Sequence, residues 1–148
     1  MPVTAQQVLS AKLKLHELLC APVTLLLSVA AGVVLRADAV GWLALVLIPQ
    51  LAVLLSGAFG LAMNLLMPKL DWTSEAVAVK QSGAVLVTML GLMLYTILAC
   101  VGLFLFVLRN PVISLPTYVL AFTALTAVLC AVCLAWLPRG GAKRFDRL

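Results

Sequence analysis

Cys130-Ala-Val-Cys133 is the sharpest chemical pattern in this chain. A two-residue gap between cysteines serves dithiol redox pairs and metal sites, so residue type alone offers thiol–disulfide exchange or metal ligation. Cys20 and Cys100 stand apart from it, and all four cysteines lie in apolar runs. The single histidine, His16, falls near Lys14 and Glu17, a setting that reads as a solvated side chain at a membrane surface rather than a ligand or proton relay. Inside the long apolar runs there is no Asp, Glu, Lys or Arg. Ionisable residues in such places are the usual mark of proton-coupled transport and voltage sensing, so an ion-coupled carrier working alone is disfavoured. No catalytic, cofactor-binding or metal-ligating set is expected, and the chain is not expected to be an enzyme.

The elements that must position these residues are transmembrane helices. Of 148 residues 65% are hydrophobic and 10% charged, against roughly 25% charged in a soluble domain. So few charges cannot wet a protein surface, and lipid must be the solvent for most of it. A span needs about 20 apolar residues. Four runs qualify, at about 18–35, 40–67, 83–108 and 112–137, which makes the chain an all-α polytopic membrane protein with a single transmembrane domain over 1–148. Leu35-Arg36-Ala37-Asp38 is a poor cleavage site, so the first run reads as a retained span rather than a secretory signal.

Ahead of that span, residues 4–17 read as a short amphipathic helix on the cytoplasmic face. Thr4 and Gln7 have capping-box spacing. Val8, Leu9 and Leu13 share one face, and Pro22 marks where this helix ends or kinks into the span. Between the second and third spans, Pro68 stops one helix, Asp71 can cap the next, and Glu75 lies near the positive end of that next helix. Residues 138–148 form a basic tail suited to lipid headgroups.

Sidedness follows from the charges. Lys12, Lys14, Lys69, Lys80, Arg139, Lys143, Arg144 and Arg147 fall on one side of the spans, and only Arg36 and Arg109 on the other. Basic residues collect in the cytoplasm, which places both termini and the central loop there. The net charge of +5 thus has a membrane cause, and with little aromatic-basic interleaving nucleic acid is not an expected partner.

Ser56, Gly60 and Asn64 recur every four residues along the second span, and Ala124, Ala127, Ala131 and Ala135 form a similar stripe on the fourth. Small residues let helix backbones approach in lipid, where no hydrophobic drive acts between helices. Thr24, Ser28, Gln50, Ser56, Thr88, Thr96, Thr123 and Thr126 put polar groups inside the spans. Most can satisfy carbonyls of their own helices. Gln50, next to Pro49, is the costliest of them to leave facing lipid.

One stretch is too particular for an ordinary loop: Asn64-Leu-Leu-Met-Pro68-Lys69-Leu-Asp71-Trp72-Thr-Ser-Glu75-Ala-Val-Ala-Val-Lys80-Gln81-Ser82. It resembles a segment late in bacterial ABC exporter permeases of the type-2 class, roughly N-L-x-x-P-K-x-x-W-x-x-E-x-x-x-V-K-Q-S. Pro2-Val3-Thr4 to Lys12 resembles the short cytoplasmic helix those permeases carry before a span, and Gly141-Ala142-Lys143-Arg144-Phe145 resembles their carboxyl terminus. The resemblance implies a subunit of the bacterial inner membrane that moves a substrate while a separate ATPase binds and hydrolyses ATP, this chain binding no cofactor. It implies a coupling surface made of Thr4, Gln7, Lys12, Pro68, Lys69, Asp71, Trp72, Glu75, Lys80 and Gln81. Those permeases are several times longer, so the expected partners are the ATPase, further permease spans or a second permease chain, and membrane lipid. A four-span chain with a cysteine pair in its last helix also resembles the vitamin K epoxide reductases. Those enzymes relay electrons through further cysteines in an extracytoplasmic loop, and no loop here holds any. A thiol oxidoreductase using Cys130 and Cys133, and a scaffold subunit that transports nothing, are the alternatives.

Overall fold

A computed structural model of the chain describes residues 4–67, 83–109 and 112–141. The described residues are helical apart from short turns and contain no strand. Four helices are long and apolar enough to cross a membrane, Gln6–Val34, Ala39–Leu66, Gly83–Arg109 and Leu115–Trp136. The chain is therefore an all-α, multi-pass protein.

Helix α1 runs unbroken from Ala5 to Val34. Its start is a complete capping box, with Gln7 N donating to Thr4 Oγ1 at 3.4 Å and Thr4 N to Gln7 Oε1 at 2.9 Å. The short helix expected over residues 4–17 is not a separate element; it forms the first turns of α1, and Pro22 lies inside the helix without ending it. In lipid, breaking the helix at Pro22 would expose several backbone groups to hydrocarbon, whereas keeping it sacrifices one hydrogen bond. Thirty residues make a rod of about 45 Å against a hydrocarbon core of about 30 Å. The amino-terminal turns, with Lys12 and Lys14, accordingly reach beyond the apolar slab.

A four-residue turn, Leu35 to Asp38, reverses the chain. Arg36 adopts φ 49°, and its N–H and that of Ala37 close on the carbonyls of Val33 and Gly32 at 3.2 and 3.0 Å. This is the Schellman closure, here with arginine at the left-handed position that usually takes glycine. Asp38 Oδ1 then accepts from Gly41 N at 2.8 Å and caps α2, Ala39–Leu66. Helix α3, Gly83–Leu103, widens into π-helical turns over Phe104–Arg109. Helix α4, Leu115–Trp136, does the same over Leu137–Gly141, so the first residues assigned to the tail continue the helix.

Helix α2 is the hub against which α1, α3 and α4 all pack. Leu9 of α1, Ala58 and Leu65 of α2, and Leu137 beyond α4 form one buried cluster. Met67 and Gly83 also lie together. At the other end, Val40 and Leu43 of α2 share an apolar groove with Pro116 and Leu120 of α4. The four helices thus run up–down–up–down. The start of α1, both edges of the 68–82 stretch and the close of α4 share one end of the bundle. Helix α3 meets α4 through aromatic residues. The Tyr95 and Phe122 ring centroids are 5.3 Å apart, and Tyr118 OH donates to Ala99 O at 2.6 Å. Thr126, fully buried, donates to Phe122 O at 2.8 Å and is left to accept from Tyr95 OH at 2.9 Å.

Candidate functional site

Polar chemistry concentrates in the seam between α1 and α2. His16 is half-buried, its Nε2 3.1 Å from Ser56 Oγ. The Ser56 hydroxyl proton is committed to Val53 O at 2.7 Å. Oγ must therefore accept, which makes Nε2 the donor and leaves Nδ1 facing the Cys20 thiol at 4.0 Å. A solvated histidine was the sequence expectation; the structure instead draws the imidazole into the helix pair because Gly57 leaves room for it. A Cβ on Gly57 would lie 2.7 Å from His16 Cδ2 and 2.9 Å from Leu13 Cδ1.

Two turns further along the seam, Gln50 Nε2 donates to Ala21 O at 3.2 Å and to Thr24 Oγ1 at 3.0 Å. Thr24 Oγ1 in turn reaches the carbonyls of Cys20 and Ala21. The amide flanked by Pro49 is thereby kept from lipid. Gln50→Leu is expected to cost about 1 kcal/mol, the scale of an interhelical hydrogen bond in a bilayer. Unfolding by SDS in mixed micelles measures that loss, and Thr24→Val in the Gln50→Leu background should add little.

The residues singled out from sequence divide into three groups. Thr4 and Gln7 are spent on each other as the cap of α1. Lys12 is exposed and joins Ser56, Gly60, Asn64 and Thr88 around a cleft of about 300 Å³. There the small-residue stripe of α2 is shared among contacts. Ser56 meets His16, Gly60 faces Thr88 with 3.6 Å between its would-be Cβ and Cγ2, and Asn64 is exposed. Pro68, Lys69, Asp71, Trp72, Glu75, Lys80 and Gln81 lie outside the described residues. The alanine stripe of α4 is exposed at Ala124, Ala127, Ala131 and Ala135, and Ala124 and Ala127 line the apolar groove opposite Val40, Leu43 and Leu47 of α2. Helix α4 buries Thr126 and Cys130.

Cys130 donates its thiol to Leu51 O at 3.3 Å, and Cys133 packs beside the Leu9–Leu137 cluster. Both are free thiols, as are Cys20 and exposed Cys100. Among the described residues no group of three or more His, Cys, Asp and Glu side chains is arranged to hold a metal.

Glu17 is the group that the sequence reading passed over. One of its carboxylate oxygens, Oε1, is shut off from solvent and has no hydrogen-bond partner. The side chain lines an otherwise mostly apolar groove of about 770 Å³ between α1, α2 and α4. A signal for it was present. Leu13, Glu17, Ala21 and Leu25 recur every four residues, which puts Glu17 on the apolar face once α1 is taken as a single helix.

Fold and composition together define a class, the multi-pass α-helical membrane proteins. No family model, no curated protein and no solved structure matches the chain.

Proposed function

We propose that this chain is a membrane-spanning component of an ATP-driven exporter of the type-2 ABC class, resident in a bacterial inner membrane with both termini in the cytoplasm. The observation that carries the reading is the 64–82 sequence pattern, whose Asn, Pro-Lys, Trp, Glu and Lys-Gln-Ser positions fall at the spacing of those permeases. The geometry is compatible with it. The capped start of α1, the edges of the 68–82 stretch at Met67 and Gly83, and the close of α4 gather at one end of the bundle. By sequence, eight of the ten basic residues fall in the first turns of α1, between α2 and α3 or after α4, the side that the charge rule assigns to the cytoplasm. An ATPase docked there would push on α1 near Thr4, Gln7 and Lys12, and an unbroken rod would carry the displacement across the membrane. ATP stays on the partner, and this chain supplies docking and force transfer rather than bond chemistry. Further permease spans or a second permease chain would complete the pathway.

The test is a mild-detergent pull-down of the tagged chain from its native membranes, with partners identified by mass spectrometry. An ABC-type ATPase is expected in the eluate. Reversing the charges of Lys69, Asp71, Glu75 and Lys80 together should abolish its recovery while leaving membrane insertion intact. Recovery without an ATPase, or with one that the quadruple variant still holds, would count against the reading and favour a scaffold.

A further inference from the structure

We propose that the cleft between α1, α2 and α3 binds the phosphate of an anionic glycerophospholipid, held by the Lys12 ammonium and the Asn64 amide. Both side chains stand at this cleft and both are exposed, so a ligand reaches them directly. Among the described residues neither has a hydrogen-bond or ionic partner. No carboxylate lines the cleft. Of the described acids, Glu17 lies at the groove towards α4, and Asp38 caps α2 at the far end of the bundle. The other polar side chains of the cleft are already engaged. Ser56 gives its proton to Val53 O and Thr88 gives its own to Ala84 O, each at 2.7 Å, while His16 Nε2 donates to Ser56. What remains is one cation and one amide with N–H donors to spare, the complement of an oxyanion.

Depth selects a lipid over a free anion. Asn64 is less than one turn from the end of α2 at Leu66, and Thr88 less than two turns from the start of α3 at Gly83. Lys12 belongs to the turns of α1 that reach beyond the apolar slab, and its long stem holds the ammonium at headgroup level. From that charged mouth the cleft passes between Leu61 of α2 and Met89 of α3. Gly60 leaves the floor open, since only Thr88 Cγ2, at 3.6 Å, neighbours the place of its Cβ. Met89, Met93 and Ile97 then follow one another at every fourth residue of α3, all exposed, and make an apolar track for an acyl chain. The volume of about 300 Å³ suits a phosphodiester and its glycerol, at the low end of small-molecule sites. Lipid binding requires neither an ATPase nor transport, so it goes beyond the exporter reading and fails independently of it.

The test is native mass spectrometry of the full chain, released from detergent micelles that hold equal amounts of phosphatidylglycerol and the zwitterionic phosphatidylcholine with the same acyl chains. The wild type should retain phosphatidylglycerol in preference to phosphatidylcholine. Lys12→Gln should cut that preference about fivefold, the worth of one lysine near anionic lipid, and Asn64→Ala should cut it as well. Lys14→Gln, on the same helix but at the other groove, should leave it unchanged, which separates a site from diffuse attraction to basic residues. Gly60→Leu keeps every charge and fills the floor, so it should lower retention too. An excess of inorganic phosphate should not displace the lipid. The proposal is overturned if the wild type shows no lipid preference, if Lys12→Gln and Lys14→Gln lose it equally, or if Gly60→Leu leaves it intact. Displacement by inorganic phosphate would also overturn it, because the ligand would then be a free anion.

Discussion

Gly57→Leu is expected to destabilise the chain more than any other single change considered. The imidazole of His16 occupies the notch that the missing side chain leaves, with its Cδ2 only 2.7 Å from the position of a Cβ. Ring and helix cannot both stay. A leucine there either drives α1 away from α2 or turns His16 out, breaking the 3.1 Å contact with Ser56. Overpacking of this kind typically costs about 1–3 kcal/mol, and the lost hydrogen bond adds about 1 kcal/mol. SDS unfolding in mixed micelles should show a shift of that size. The diagnostic result is rescue: His16→Ala in the Gly57→Leu background removes the ring and should recover most of the loss. If the double variant is no more stable than Gly57→Leu alone, the ring-in-notch account fails.

The second large effect is expected at the opposite end of the same interface, with the roles of the helices exchanged. Gly32 of α1 is buried beneath the indole of Trp42 from α2, and a Cβ there would meet three ring atoms at 2.7–2.9 Å. Gly32→Leu should displace the indole at a cost of about 1–3 kcal/mol, read both as earlier SDS unfolding and as a red-shifted Trp42 emission in a chain whose other two tryptophans are Phe. Gly32 and His16 are separated by sixteen residues of one helix, about 24 Å. Penalties so far apart should add to within about 0.5 kcal/mol. Strong non-additivity would mean that α1 and α2 separate as a unit once either end is opened.

These two notches show where sequence reading stopped. The small-residue stripe Ser56, Gly60 and Asn64 was legible from its spacing, yet the tightest approach on that helix is at Gly57, one residue off the stripe. Spacing reveals which residues are small but not which neighbour brings a ring to meet them. Nothing in the spacing of the first two apolar runs pairs Trp42 with Gly32, and only the folded hairpin places its ring there. Gln50 was recognisable as an amide that lipid could not tolerate; its partners, Ala21 and Thr24, belong to another helix. The alanine stripe of α4 had the spacing of a packing face, and in the bundle it is exposed.

What the sequence determined by itself was everything governed by local or solvent-averaged energies. Four apolar runs specify four helices, because a backbone in hydrocarbon must satisfy its own hydrogen bonds. Thr4 and Gln7 start the first helix, and Asp38 starts the second, because those side chains reach amides three residues away. The one-sided distribution of Lys and Arg supports the proposed sidedness. The tertiary structure decided the rest. It settled that α1 continues through Pro22, that His16 turns inward, that Cys130 gives its thiol to Leu51 seventy-nine residues away, and that one carboxylate oxygen of Glu17 is shut off from solvent without a partner. The physical reason is the solvent. In water, an apolar face announces where it packs. In lipid every face of these helices is apolar, so shape and a few polar contacts between distant residues choose the packing surface.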